Sequence, residues 1–275
     1  METRTLSRKE AQVILGLLAE GKIELALGDI ERIAAVTPVH SRKLAHVLRR
    51  KGWIQKIGAG RFLINPPQNG PDAIPDSDPL RIGSRLVSPY YLGFGTAANL
   101  HGLLSSYGTT YYVVTPGPRH RLPTEPVEFK LVRTEPDRFF GMVKKERHET
   151  AYVISDLERT VIDCLRRPDY CGGIPGVVEI VARARKRWST RKLLAYLARF
   201  GDRSLMQRLG YLLDRLGGND RPTRDLLDRL AQRIGTARVP LAPARTFGRR
   251  GRYRPRWKII ENIAPGEIFG EVEGT

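Results

Sequence analysis

The chain has 275 residues, with 47 Lys and Arg against 29 Asp and Glu, a formal net charge of +18 and an ordinary apolar content of 41%. Such a charge points to an anionic partner such as nucleic acid and says nothing about fold. Two cysteines, Cys164 and Cys171, exclude a disulfide framework and a four-thiolate zinc site. No stretch approaches the ~18 apolar residues of a membrane span, and no charged leader precedes an apolar run, so a cytoplasmic protein is expected.

In chain order, Ser7-Arg8-Lys9-Glu10 matches the S-x-x-E capping box, in which the serine and glutamate satisfy backbone N–H groups reciprocally. Val13, Ile14, Leu17 and Leu18 follow at helical spacing, and Gly21 ends that helix. Residues Asp29–Ile64 then read as a short helix, a tight turn, a longer basic helix and two short strands with a glycine-rich tip. Thr37 is placed to cap the basic helix, and Pro38 suits its first position, where a missing N–H costs nothing. Gly52 stops it directly after Arg49, Arg50 and Lys51, whose charges favour the C-terminal dipole. At about 100° per residue, Leu44, Val47 and Leu48 fall on one arc and Arg42, Lys43, His46, Arg49 and Arg50 on the opposite one. Ile54–Ile57 and Arg61–Ile64 flank Gly58-Ala59-Gly60 as a hairpin, with Lys56 and Arg61 beside the tip.

This order is that of a winged helix-turn-helix, and a helix apolar on one side and cationic on the other is what a major-groove reader requires. The expected contacts to double-stranded DNA are Ser41, Arg42, Lys43, His46, Arg49 and Arg50 from the helix and Lys56 and Arg61 from the wing. The competing reading, a solvated cationic face, lacks the ordered context of cap, turn and hairpin.

Residues 65–80 hold five prolines, three aspartates and no Lys or Arg, while 1–64 carry twelve basic and six acidic residues. The expected organisation is therefore a DNA-binding domain over 1–66, an extended linker over 67–79 and a C-terminal domain over 80–275. In the last of these, a helix is predicted over Thr96–Leu103. Strands are predicted over Tyr111–Thr115, Val127–Val132, Phe140–Lys144 and Thr150–Val153. Helices are predicted over Asp156–Arg166, Gly176–Arg187, Arg191–Phe200, Ser204–Leu216 and Thr223–Ile234. The fold class is thus α+β: a winged helix-turn-helix followed by a mixed domain with a small antiparallel sheet plus helices.

Asp156, Glu158 and Asp163 tempt a reading as metal-holding carboxylates of an enzyme acting on nucleic acid. Capping explains the first two better, with Ser155 and Glu158 as a second capping box and Asp156 in the first turn, where the dipole favours an anion, and Asp163 reads equally well as a helix surface charge or an ion-pair partner. His101 and His120 lack metal-ligand spacing, and no phosphate loop, dinucleotide fingerprint or nucleophile elbow is present. No catalytic residue, metal or cofactor is expected. A basic tail over about 241–258 interleaves arginines with Tyr253 and Trp257. Arg249, Arg250, Arg252 and Arg254 are candidate further nucleic-acid contacts. The alternative is a solvated tail that folds over the domain, with Trp257, Ile259 and Ile260 as its apolar anchor.

These features, taken with Ala98–Leu103 (ANLHGL), Tyr112–Pro116 (YVVTP), Ser155–Leu165 (SDLERTVIDCL), Gly172-Gly173, Arg208–Leu213 (RLGYLL) and Trp257–Ile260 (WKII), resemble the AbiE-type (AbiEi) antitoxin family of type IV toxin–antitoxin systems. The resemblance implies an antitoxin and autorepressor of a phage-defence operon. Its winged helix would bind inverted repeats near the promoter, and its C-terminal domain would counter a nucleotidyltransferase-like toxin, directly or indirectly. A stand-alone transcriptional regulator is the alternative. The arginine-rich tail departs from simpler members of that family.

Overall fold

A computed structural model describes residues 5–22, 24–65, 67, 78–105, 108–118, 127–147, 150–217 and 220–269. The chain forms two compact units, Met1–Ser88 with Gly117–Leu131, and Pro89–Pro116 with Val132–Thr275.

In the first unit, α1 (Arg8–Ala19) starts where the Ser7 N–H donates to Glu10 Oε2 at 2.7 Å. Strand β1 (Glu24–Ala26) leads into α2 (Leu27–Ala34), and the Ala26 N–H donates to Asp29 Oδ2 at 2.9 Å. Ala35 then turns the chain with a left-handed φ of 48°. Two residues further on, α3 (Pro38–Arg50) begins behind Thr37, whose hydroxyl oxygen accepts from the His40 N–H. Strands β2 (Ile54–Gly58) and β3 (Arg61–Ile64) form the hairpin, and the antiparallel sheet runs β1-β3-β2. The tip needs glycine at Gly60, where φ is +67°. Val13, Ile14 and Leu17 of α1, Leu25 of β1, Ile30 of α2 and Leu48 of α3 make a single apolar core with Trp53 and Ile54. The unit also includes α4 (Pro79–Leu86), capped by Asp78, whose carboxylate accepts from the Leu80 N–H at 3.0 Å. The expected linker over 67–79 lies outside the described residues except for Pro67, Asp78 and Pro79, and Pro79 is already helical.

The second unit opens with β4 (Tyr91–Leu92) and α5 (Phe94–Leu100). Strand β5 (Thr110–Thr115) follows, then β6 (Glu128–Arg133), β7 (Met142–Arg147) and β8 (Thr150–Ser155). Within this unit the sheet runs β5-β4-β8-β7. β4 pairs antiparallel with β5 and parallel with β8, so the sheet is mixed where an antiparallel one was expected. Helix α6 (Leu157–Arg166) packs on β8, α7 (Gly173–Ala184), α8 (Thr190–Phe200) and α9 (Arg203–Arg215) pack on α6, and α10 (Arg221–Ala231) packs on α9. Their buried faces form one core that includes Val161, Val178, Leu197, Leu209 and Trp257.

The C-terminal residues, the expected basic tail among them, form β9 (Val239–Pro240), α11 (Ala244–Phe247), β10 (Arg252–Arg254), β11 (Ile259–Glu261) and α12 (Pro265–Phe269). The three strands make a small sheet in the order β10-β11-β9. Of the expected apolar anchor, Trp257 and Ile259 are buried and Ile260 is half-buried. A Cβ at Gly210 would overlap the Trp257 ring, so α9 needs glycine there.

The cap of α6 lies one residue later than expected. Asp156, not Ser155, is its N-cap and accepts from the Arg159 N–H at 2.9 Å. The Ser155 hydroxyl bonds the Thr160 hydroxyl at 2.7 Å, and Glu158 accepts from the Ser189 N–H at 2.7 Å, which ties α6 to the start of α8.

Candidate nucleic-acid interface

Helix α3 is held from one side. Ser41 and Leu48 are fully buried, and Ala45 lies between them. The Ser41 hydroxyl donates to Glu31 Oε1 at 2.9 Å, so this residue joins α3 to α2 and does not reach the exposed face on which it was expected. Lys51 also turns inward, with Nζ 2.8 Å and 3.1 Å from the two Glu10 oxygens. Burial alone would raise the Glu10 carboxyl. Lys51 and the Ser7 N–H outweigh it and hold the group below the usual carboxylate range. The pair fastens the end of α3 to the start of α1.

The other side of α3 presents Arg42, Lys43, His46, Arg49 and Arg50, all exposed. Among the described residues Arg42, Lys43, His46 and Arg49 make no ion pair, and neither does exposed Lys56 on β2. Arg42, His46, Arg49 and Lys56 converge on one concavity of about 200 Å³ floored by Ala45 and Phe62, with Gly60 of the hairpin tip at its rim. Helix and hairpin thus share a cationic surface. Val39, 58% exposed, lies on the same stripe and was not singled out from the sequence. Its position three residues before Arg42 was the available signal.

Arg61 departs from the expected wing contact. Its Nη2 donates to Glu24 Oε2 at 2.9 Å and to the Arg85 carbonyl at 2.8 Å, which directs the guanidinium along β1 and α4. In the C-terminal region Arg249, Arg250 and Arg252 are exposed. Arg254 is not available in the same way: its Nε donates to Glu261 Oε1 at 2.7 Å, and Glu261 is also bonded by the Tyr211 hydroxyl.

The three carboxylates of the enzyme alternative all have structural partners. Arg159, almost fully buried, donates from Nε to Asp163 Oδ1 at 2.9 Å and from Nη2 to the Tyr91 hydroxyl at 2.9 Å. Its Nη1 reaches the Arg138 carbonyl at 2.6 Å. Burial raises the Asp163 carboxyl, and Arg159 and Tyr91 hold it back. Asp156 caps α6 and accepts from the Tyr196 hydroxyl at 3.0 Å, and Lys192 lies 3.1 Å from both Asp156 and Glu158. Among the described residues no group of three or more His, Cys, Asp or Glu could hold a metal ion. His101 Nε2 lies 2.8 Å from the Ser155 carbonyl, and its lowered pKa comes first from burial. His120 lies outside the described residues. No helix among the described residues is long and apolar enough to cross a membrane.

The mixed sheet and the helices that follow it, preceded in the chain by the unit that carries the cationic face of α3, define a two-unit α+β protein. Residues 91–215, most of the second unit's sheet and helices, match the family model of the AbiEi antitoxin C-terminal domain. Over these residues the second unit is similar to the C-terminal domain of the AbiEi antitoxins of toxin–antitoxin systems. The crystal structure of the RV2827C protein from Mycobacterium tuberculosis shares the fold, with a TM-score of 0.62 over 94% of this chain and 92% of that one at 19% identity. No curated protein matches the sequence significantly.

Proposed function

We propose that the protein is a DNA-binding antitoxin of the cytoplasm that represses the operon encoding it and counters a nucleotidyltransferase-like toxin made alongside it. In this reading α2 and α3 are a helix-turn-helix and β2–β3 its wing. The observation that carries it is the exposed row Arg42, Lys43, His46, Arg49 and Arg50 on a helix whose opposite side is fixed to the core. Arg42 and Arg49 are suited to base edges in the major groove, since a guanidinium can bond guanine O6 and N7 together. Lys43, Arg50 and Lys56 are suited to phosphates, as are the exposed Arg249, Arg250 and Arg252. The role is regulatory, with Asp156, Glu158 and Asp163 structural and not catalytic. The toxin partner rests on the similarity of the second unit to the AbiEi antitoxin C-terminal domain.

Gel-shift titration with the region upstream of the operon tests the DNA-binding half. The triple Arg42→Ala, Arg49→Ala, Arg50→Ala protein should lose the specific shift, and wild-type binding by it would end the proposal. Co-expression with the neighbouring toxin tests the other half. The same triple variant should still rescue growth, because neutralisation is assigned to the second unit. Loss of rescue by a folded triple variant would contradict that division.

A further inference from the structure

The second unit contains a cationic cleft that DNA binding through α3 does not use. It has a volume of about 310 Å³ and is lined at the end of α6 by Arg166 and Arg167, on α9 by Arg208 and at the start of α11 by Arg245. One acid, Asp169, lies among these four cations. Its carboxylate is taken twice, by Arg167 Nε and Nη2 at 3.1 Å and 2.9 Å and by Arg245 Nη2 at 2.8 Å. That leaves Arg166 and Arg208, and among the described residues neither makes an ion pair. Arg166 stands over the Phe200 ring at 5.5 Å, and Arg208 donates one hydrogen bond, from Nε to the Pro240 carbonyl at 3.3 Å. Both are half-buried, and burial is the first cause that lowers their pKa values. Leu241 and Pro243 supply an apolar part of the wall.

Half-buried guanidinium groups without a counter-ion carry a desolvation cost that a bound anion would offset. The planar fork matches phosphate oxygens two at a time. The volume is at the lower end for small-ligand sites, enough for a phosphate with a small organic body. We infer that this cleft binds a small phosphomonoester, its phosphate held by Arg166 and Arg208 and its carbon body resting on Leu241 and Pro243. Asp169 holds Arg167 and Arg245 at the flanks and leaves the two inner arginines to the ligand.

The test uses the full chain, with adenosine monophosphate, inorganic phosphate and non-operator duplex DNA as probes and sodium chloride at matched ionic strength as control. Adenosine monophosphate should raise the melting temperature saturably, and inorganic phosphate should do so at higher concentration. By calorimetry, Arg166→Met and Arg208→Met should each weaken the nucleotide by about ten- to hundredfold, the value of a charged hydrogen bond. Neither should change the operator gel shift. Both should melt at or above the wild-type temperature without ligand, since an uncompensated cation has been removed. No stabilisation beyond chloride, or nucleotide affinity unchanged in both variants, overturns the inference. So does weakened duplex binding in the variants with no response to the nucleotide, which would make the cleft part of a DNA surface. If the Met variants do not fold, Arg208→Lys decides: it keeps the charge but loses the fork, and unchanged nucleotide affinity in that protein overturns the assignment.

Discussion

Two cations that look equivalent in the sequence, Lys56 and Arg61, make the sharpest test of the wing. Both flank the Gly58-Ala59-Gly60 tip. The structure leaves Lys56 exposed beside Arg42 and Arg49, whereas Arg61 bonds Glu24 and the Arg85 carbonyl. If Lys56 neutralises one phosphate, Lys56→Ala should lower the slope of log affinity against log salt by about 0.9 for each bound protomer. Between about 50 and 200 mM salt, the advantage of wild type over that variant should then shrink about 3.5-fold. Arg61→Ala should leave the slope alone. Its ion pair is partly exposed, with side-chain accessibilities of 44% and 39%, so its loss should cost no more than about 1 kcal/mol of stability. Fluorescence anisotropy on a labelled operator at four salt concentrations, alongside urea unfolding of each variant, measures both quantities. A slope that is unchanged in Lys56→Ala, or reduced equally in Arg61→Ala, would refute the assignment of the wing surface.

Three further outcomes are expected. Gly210→Ala drives a methyl group into the buried Trp257 ring; overpacking of this kind costs about 1–3 kcal/mol, so calorimetry should show a melting temperature lower by roughly 2–12 °C. Asp163→Ala leaves Arg159 buried without its carboxylate; chemical unfolding should show a loss of roughly 3–5 kcal/mol, and a change under 1 kcal/mol would contradict the network. His101 has a pKa lowered first by burial, with Arg187 and Lys145 adding to it and the Ser155 carbonyl opposing. The unfolded chain therefore takes up the proton first as pH falls from the ordinary value of 6.5, and stability present above that value is lost through the interval down to the folded-state pKa. Urea unfolding at several pH values across that interval should show the loss in wild type and a smaller one in His101→Gln.

The sequence made α3 legible because its signals are local: a capping threonine, a proline at the first position, a terminating glycine and a two-sided charge pattern all lie within residues 37–52. The long helices of the second unit were legible for the same reason. Strands β1 and β4 were not, since three and two residues carry no period of their own. They exist because β3, β5 and β8 offer them partners far along the chain. The parallel contact of β4 with β8 also made the sheet mixed, and nothing local encodes that pairing.

Side-chain roles divided in the same way. Arg49 and Lys51 stand two residues apart at the end of one helix, with the same charge and the same expected use at the helix terminus. Lys51 reaches Glu10, 41 residues upstream, and becomes part of the packing of α1 on α3. Arg49 meets no such acid and stays exposed beside Lys56. Arg254 and Arg256, likewise drawn from a run that reads as a solvated basic tail, find Glu261 and Asp214. A count of basic residues therefore overstates the surface open to an anion. The cations that matter are those for which the fold supplies no carboxylate, and that property belongs to long-range pairing, which places them on α3 and in the Arg166–Arg208 cleft.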